Sequence, residues 1–348
     1  MSVALHKAAL IVRPMRNDDV YKPGAGPQGG NFYVPYTMLR DRFALYGVAL
    51  HTADLVPERE RLFELHINAQ HRLSSRPAYA YLYEDPLIRP VNGRRQHLLQ
   101  YRKAFTSNED LVDGERFIKL DYPNELRLQS AADWHQRPLH CVLIAANKAL
   151  SRSSPRNLHH RRVELARAFE TLAPELFTLY GRGWGQPAVK PGIGGRLVKR
   201  LREWAARVHA PPPAFPSWRG QVKSKGEVLG RARFAIAFEN VSGSPGYITE
   251  KIFDCFVHGC VPVYLGTPGA AASIPAACYV DARAFSSDRE LIDYLRSVDA
   301  ARFATYQAAI AAYLGSAAAV RFSNEQFTRT LVDTIAADQQ LCLLRTAA

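Results

Sequence analysis

Long apolar runs are missing from this 348-residue chain. Nothing approaches the roughly 18 consecutive apolar residues of a membrane-spanning helix. The apolar stretch over residues 8–12 follows His6 and Lys7 and precedes Arg13, which fits a first buried strand better than a signal peptide. Cysteine is scarce: Cys141, Cys255, Cys260, Cys278 and Cys342 make an odd number with no C-x-x-C pair. Neither a disulfide framework nor a zinc knuckle is signalled, and a reducing compartment is the simple expectation. No sustained period occurs, which excludes coiled-coil, collagen-like and repeat architectures. An aromatic-rich nucleic-acid motif is also lacking. Acidic residues are outnumbered, 32 against 45 Lys plus Arg, for a formal charge of +13. That surplus favours anionic partners such as nucleotide phosphates or an anionic membrane face.

What is present is a globular composition, 47% hydrophobic and 22% charged. The length suggests about two domains at ~150 residues each. Short apolar runs alternate with helical stretches, which argues an α/β fold with mostly parallel strands. Strands are predicted over 8–12, 48–51, 79–83, 117–120, 141–145, 177–179, 234–238 and 261–265. Helices are predicted over 36–45, 161–172, 195–208, 248–257, 288–298, 300–314 and 324–337. Periodicity lapses between 124 and 138, so the domains are drawn as 1–137 and 138–323, with a helix and tail over 324–348. A basic stretch over 186–216 reads as an insertion. Within it Leu197, Val198, Leu201, Trp204, Ala205 and Val208 share one helical face, and Arg196, Lys199, Arg200, Arg202 and Arg207 lie elsewhere. Such a helix either lies on an anionic membrane or simply packs on its own domain.

In open α/β sheets ligands bind beyond the carboxyl ends of strands. Carboxylates, cations and glycines collect there: Glu84-Asp85-Pro86, Asn147-Lys148, Gly181-Arg182-Gly183, Glu239-Asn240 and Gly266-Thr267-Pro268. The densest segment runs from Phe234 to Ile252. A buried strand leads into a Gly/Ser/Pro loop, and the loop into a helix that opens with Thr249, Glu250 and Lys251. Unpaired N–H groups and the dipole at such a helix start suit a diphosphate. A lysine there opposes the dipole by ~0.3–1 kcal/mol, which points to an anion nearby.

Phe238-Glu239-Asn240, then Tyr247-Ile248-Thr249-Glu250-Lys251-Ile252, then Gly259-Cys260-Val261-Pro262-Val263-Tyr264-Leu265-Gly266-Thr267-Pro268, closely resemble the donor-binding signature of α-1,3/4-fucosyltransferases, glycosyltransferase family 10. Weaker likeness covers Arg162-Val163-Glu164-Leu165, Ser224-Lys225 and Glu84-Asp85-Pro86. The resemblance implies the GT-B architecture, with two Rossmann-like domains facing a cleft and a C-terminal helix crossing back to the first. It implies an acceptor-side domain over 1–137, a GDP-sugar domain over 138–323, and inverting transfer of L-fucose from GDP-β-L-fucose, with an α1,3 linkage expected.

The roles that follow are also implied by the resemblance. Inverting transfer needs a carboxylate to take the acceptor proton while charge builds on the leaving diphosphate. Glu84 aligns with the base, with Asp85 an adjacent alternative. Arg162 and Lys251 align with the diphosphate cations, with Arg161 open to a one-residue slip. Glu250 aligns with a donor-contacting acid, Tyr247 and Asn240 with further donor contacts, and Glu239 with the fucose. No cofactor is required, although a divalent metal is left open as a stimulant. The membrane anchor and luminal disulfides of animal members do not appear. The expectation is therefore a bacterial-type enzyme at the cytoplasmic face of a membrane, acting on a lipid-linked surface glycan. Two other readings stay open: the same fold with another GDP-linked sugar, or an inactive basic membrane-binding protein. Gly24-Ala25-Gly26-Pro27-Gln28-Gly29 matches G-x-G-x-x-G but lacks the strand–turn–helix context and is read as a loop. His159-His160 and the His135/His140 pair lack metal-ligand spacing.

Overall fold

The apolar runs become parallel strands because a strand covered on both faces can be apolar at every position. A computed structural model describes residues 6–22, 33–130, 132–149, 154–186 and 214–344, with a few positions between 194 and 201. It holds two all-parallel sheets. The first comprises β1 (His6–Ile11), β2 (Val48–Thr52), β3 (Arg61–Ile67), β4 (Ala78–Leu82), β5 (Lys103–Thr106) and β6 (Phe117–Lys119), in the order β2-β1-β3-β4-β5-β6. The second comprises β7 (Leu139–Ile144), β8 (Phe177–Tyr180), β9 (Ala232–Phe238), β10 (Val261–Leu265) and β11 (Val280–Asp281), in the order β11-β10-β9-β7-β8.

β3, β5 and β11 are strands that the sequence reading missed. β3 reads Arg-Leu-Phe-Glu-Leu-His-Ile, too polar for a central strand, yet Phe63 through Ile67 are all buried. Its polar groups satisfy one another. Glu64 accepts from Arg61 at 2.6 Å and pairs with His66 at 2.9 Å, and His66 reaches the Tyr101 hydroxyl at 3.3 Å. Burial of hydrogen-bonded polar groups costs far less than burial of lone ones. β5 and β11 have four and two residues, too few to show a period.

The chain divides into Met1–Leu126 with Ser244–Glu250 and Ala317–Ala348, and Arg127–Gly243 with Lys251–Ser316. These edges differ from 137/138 and 323/324, and the contacts explain why. Arg137, with no exposed surface, donates to the carbonyls of Ala132, Leu229, Ala232 and His258 at 2.8–3.0 Å. Gln129 N–H donates to Val257 O. The stretch before β7 is therefore bound into the second unit. Arg321 pairs with Asp121 at 2.7 Å, which ties the chain before the last helix to the first unit.

The last helix, Asn324–Asp338, belongs to the first unit, as the resemblance implied. Phe327, Leu331, Val332 and Ile335 recur at helical spacing and enter the core with Tyr36, Leu39, Phe43 and Tyr81. Ser323 caps its start, accepting from Gln326 N–H at 3.0 Å. Asp333 takes Nε and Nη2 of Arg42 at 2.8 and 2.6 Å. Most of the expected helix over 195–208, and of the insertion over 186–216, lies outside the described residues. Among the described residues no helix is long and apolar enough to cross a membrane.

Candidate active site

In the second unit β9 and β10 end side by side, Phe238 opposite Leu265. Glu239 N–H donates to Leu265 O at 2.8 Å, so Glu239 stands just past the last rung. Its side chain is fully buried, and a buried carboxylate needs partners. Lys251 Nζ lies 3.2 Å from Oε2, and the Tyr264 hydroxyl donates to Oε1 at 3.4 Å. Burial first, then Glu239, holds the Tyr264 hydroxyl well above the ordinary tyrosine value. Only glycine fits at 266: a Cβ there would lie 2.4 Å from the Tyr264 hydroxyl and 2.8 Å from Glu239 Cγ.

Lys251 sits in the first turn of the helix Glu250–Val257, which starts two residues later than expected. The anion that offsets a cation at this helix start is supplied within the chain, by Glu239. The inference from Lys251 to an external anion is corrected accordingly: the lysine alone does not require one.

Arg162 and Arg161 separate cleanly on the helix His159–Leu172. Arg162 is 5% exposed, and its Nη2 donates to Phe238 O (2.5 Å), Glu239 O (2.8 Å) and Asn240 Oδ1 (3.1 Å). Arg161 pairs instead with Glu164 at 2.8 Å and Asp288 at 2.6 Å near the surface. One turn earlier, His159 is pushed down to about 3, chiefly by burial and then by Arg162, Lys148 and Lys251. Three cations therefore act on one neutral imidazole beside the end of β9.

In the first unit β4 is buried along its whole length and ends at Leu82. The alternatives Glu84 and Asp85 divide as the two arginines do. Asp85 is buried in a turn: its Oδ1 accepts from Leu87 N–H at 2.7 Å, its carbonyl accepts from Ile88 and Arg89 N–H, and the Ser244 hydroxyl donates to Oδ2. Glu84 is half-buried, its N–H donating to Asn68 Oδ1 at 2.8 Å and its carbonyl accepting from Asn92 Nδ2 at 2.7 Å. Beside it lie Tyr81 and Tyr122. Burial raises both hydroxyls well above the ordinary value, and the Glu84 carboxylate adds to each; Glu250 adds to Tyr81.

Ser244–Glu250 packs into this same unit. Pro245 O accepts from Glu109 N–H at 3.2 Å, and the Tyr247 ring meets Tyr122 edge-on at 5.7 Å. Gly246 has φ +77°, and a Cβ there would lie 2.3 Å from Ser107 O. Glu84, Thr106, Ser107, Asn108 and Tyr247 line a small pocket together with Leu82, Pro86 and Leu111.

Sequence reasoning passed over Tyr264, Asn68, Asn92 and Tyr122, and weighed His159 only as a metal ligand. Tyr264 carried a signal, since it falls inside the quoted motif. Cys141, Cys255, Cys260 and Cys278 are buried. The Cys255 thiol, against Cys260, is held well above the ordinary value. The glycine pattern at 24–29 lies outside the described residues. Among the described residues no group of three or more His, Cys, Asp or Glu is arranged to hold a metal.

Residues 195–313 match the model of glycosyltransferase family 10 (fucosyltransferase), C-terminal part. Helicobacter pylori alpha-(1,3)-fucosyltransferase FucT is 37% identical over 75 residues, 22% of this chain and 16% of that protein. Human alpha-(1,3)-fucosyltransferase 7 is 40% identical over 149 residues, 37% of this chain and 43% of that protein. The chain thus spans a fifth or less of the length of the first curated relatives it matches. A solved alpha1,3-fucosyltransferase with GDP-fucose superposes over 99% of this chain and 94% of its own, with a TM-score of 0.54 and 15% identity. The Anabaena HepE structure with UDP and glucose covers 95% of this chain and all of its own, with a TM-score of 0.52 and 12% identity. The fold is that of the GT-B glycosyltransferases.

Proposed function

We propose, from the match of residues 195–313 to the model of glycosyltransferase family 10, that this chain is an inverting α-1,3-fucosyltransferase using GDP-β-L-fucose. The observation that carries the reading is the end of β9. There Glu239 and Asn240 are held by Arg162, and Lys251 closes on Glu239. Developing charge on a leaving diphosphate is stabilised by fixed cations whose orientation is set before the reaction. Arg162 and Lys251 supply that charge, with His159 kept neutral between them. In this reading Tyr247, Asn240 and Glu250 contact the donor, Glu239 orients the fucose, and Glu84 takes the proton from the acceptor hydroxyl.

The reaction needs no cofactor in this reading, so chelation leaves turnover and a divalent ion acts at most as a stimulant. The acceptor is a glycan. Its trial probe is a 4-galactosyl-N-acetylglucosaminide, the acceptor in the printed name of a mouse relative 38% identical over 73 residues. A bacterial surface polysaccharide, lipid-linked at the cytoplasmic face of a membrane, is the proposed biological setting, supported by the charge pattern over 195–208. Co-sedimentation with anionic vesicles that is unchanged in Arg200→Glu would remove the membrane contact from this picture.

A second reading, the same chemistry with another nucleotide sugar, is favoured by one observation. The UDP-bound neighbour fits the fold almost as well as the GDP-fucose-bound one. Thermal shifts with GDP, UDP, CDP and dTDP separate the two, since a ligand of the folded state raises the midpoint. A shift with GDP alone, followed by formation of an α-L-fucoside from GDP-fucose, supports the first reading. No shift with any nucleotide overturns both.

A further inference from the structure

We infer that Asn68 and Asn92 form an amide clamp that positions Glu84, and that it serves turnover rather than donor binding. The inference rests on the reading of Glu84 as the base. The last rung of β4 pairs Leu82 with Thr106, so no strand ladder holds the chain at Glu84. Side chains take over. Glu84 N–H donates to Asn68 Oδ1 at 2.8 Å, and Glu84 O accepts from Asn92 Nδ2 at 2.7 Å. The same Nδ2 donates to Asn68 Oδ1 at 2.8 Å, which joins the two amides. Tyr122 adds a third hold, its hydroxyl donating to the carbonyl of Tyr83.

Both asparagines suit the task. Asn92 is 1% exposed, and its Oδ1 accepts from Ala69 N–H at 2.9 Å. Turning its amide over would face Nδ2 to that N–H and Oδ1 to two acceptor oxygens, so its orientation is fixed by its partners. Asn68 has φ +63°, a left-handed conformation that asparagine tolerates and most side chains do not. Its own N–H donates to Tyr81 O at 2.8 Å, anchoring it to β4. A general base must lie within hydrogen-bond reach of the proton it takes, and an ångström of misplacement costs ~10²-fold in rate. Two interlocked amides, one on each of the peptide units that flank Glu84, are a means of preventing that. Asn68 and Asn92 are thus positioning residues, acting through Glu84.

Two variants test this with GDP-fucose and the 4-galactosyl-N-acetylglucosaminide probe. Asn92→Asp replaces the donor with an oxygen facing two oxygens. Asn68→Gly keeps the left-handed backbone and removes only the amide, so it decides the matter if Asn92→Asp does not fold. For each, kcat is expected to fall ~10- to 100-fold, with KM for GDP-fucose and the GDP thermal shift unchanged. In a Glu84→Gln background the residual rate, read by radiolabel transfer, is expected to fall no further, because the clamp acts only through that carboxylate. An unchanged kcat in Asn68→Gly, a rise in donor KM with kcat intact, or an equal fall in both backgrounds would each overturn the clamp. Wild-type turnover by Glu84→Gln alone would overturn the base assignment, a separate result read from a separate protein.

Discussion

The two sheet ends hold their carboxylates by opposite means. At the end of β9, Glu239 is fully buried and balanced by charge, with Lys251 at 3.2 Å and Arg162 on its backbone. At the end of β4, Glu84 is half-buried, among tyrosines, and held by neutral amides. A buried carboxylate closed on by a cation is expensive to break up, so the pair acts as a fixed part of the scaffold. Glu84 has its backbone N–H and carbonyl fixed by two side-chain amides, whereas Glu239 has its carboxylate fixed by Lys251. In the proposed reading the first arrangement serves the donor and the second positions the group that takes the acceptor proton.

The largest expected effect tests the acceptor side of this contrast. Glu84→Gln should lower turnover by ~10²–10⁴-fold while the GDP thermal shift stays as in the wild type. Loss of the shift instead would mean that Glu84 serves the donor. Next is Lys251→Ala, which strands Glu239 without its cation. Such a change costs about 3–5 kcal/mol in a buried pair, visible in urea unfolding, and the GDP shift should shrink. Adding Glu239→Gln should restore much of the stability without restoring the shift; if stability is not regained, the pair is not what fixes this site.

Acid should separate the two units, because their buried titrating groups differ. In the second unit His159 and His140 are pushed down, to about 3 and about 4, mainly by burial. An unfolded histidine takes a proton below its ordinary value of 6.5 and these folded ones do not, so stability is full above 6.5 and declines as pH falls from there toward 4. In the first unit burial pushes the Glu64 carboxyl up, but hydrogen bonds from His66 and Arg61 outweigh it and bring it down to about 2. Its contribution is complete above the ordinary carboxylate value of 4.5 and is lost only as pH falls from 4.5 through 2. Chemical denaturation at pH 7, 5.5 and 4 should therefore show weakening that His159→Gln reduces and Glu64→Gln does not. The smallest effect distinguishes neighbours: Arg161→Ala removes surface pairs worth about 0–1 kcal/mol and should leave turnover near wild type. Arg162→Ala should lower turnover sharply, and the opposite order would return the phosphate role to Arg161.

The proposed donor side stands out in the sequence because its residues lie in one stretch. Glu239, Asn240, Tyr247, Glu250 and Lys251 follow a single strand, and charged residues just past an apolar run stand out. Arg162 and Arg161 look alike in the sequence, and only burial against β9 tells them apart. On the proposed acceptor side the sequence singles out only Glu84 and its neighbour Asp85. Asn68, Asn92 and Tyr122 come from three separate segments, and an asparagine in a loop looks the same whether it clamps a base or faces water. β3 was hidden for a related reason: Glu64 and His66 read as exposed until each is seen to satisfy the other. The unit edges were misplaced because Arg137, a charged residue in an irregular stretch, looks like a linker and is in fact buried among four carbonyls.

The last helix bears on how the chain is made. Phe327, Leu331, Val332 and Ile335 complete a core whose other members, from Ala8 to Leu120, lie within the first 120 residues. A ribosome adding ~5–20 residues per second therefore finishes most of the protein before that core can close. Throughout synthesis the apolar flank of the first sheet waits for its cover, a natural client surface for chaperones. A tag or truncation near residue 335 acts, by the same logic, on the folding of the beginning of the chain.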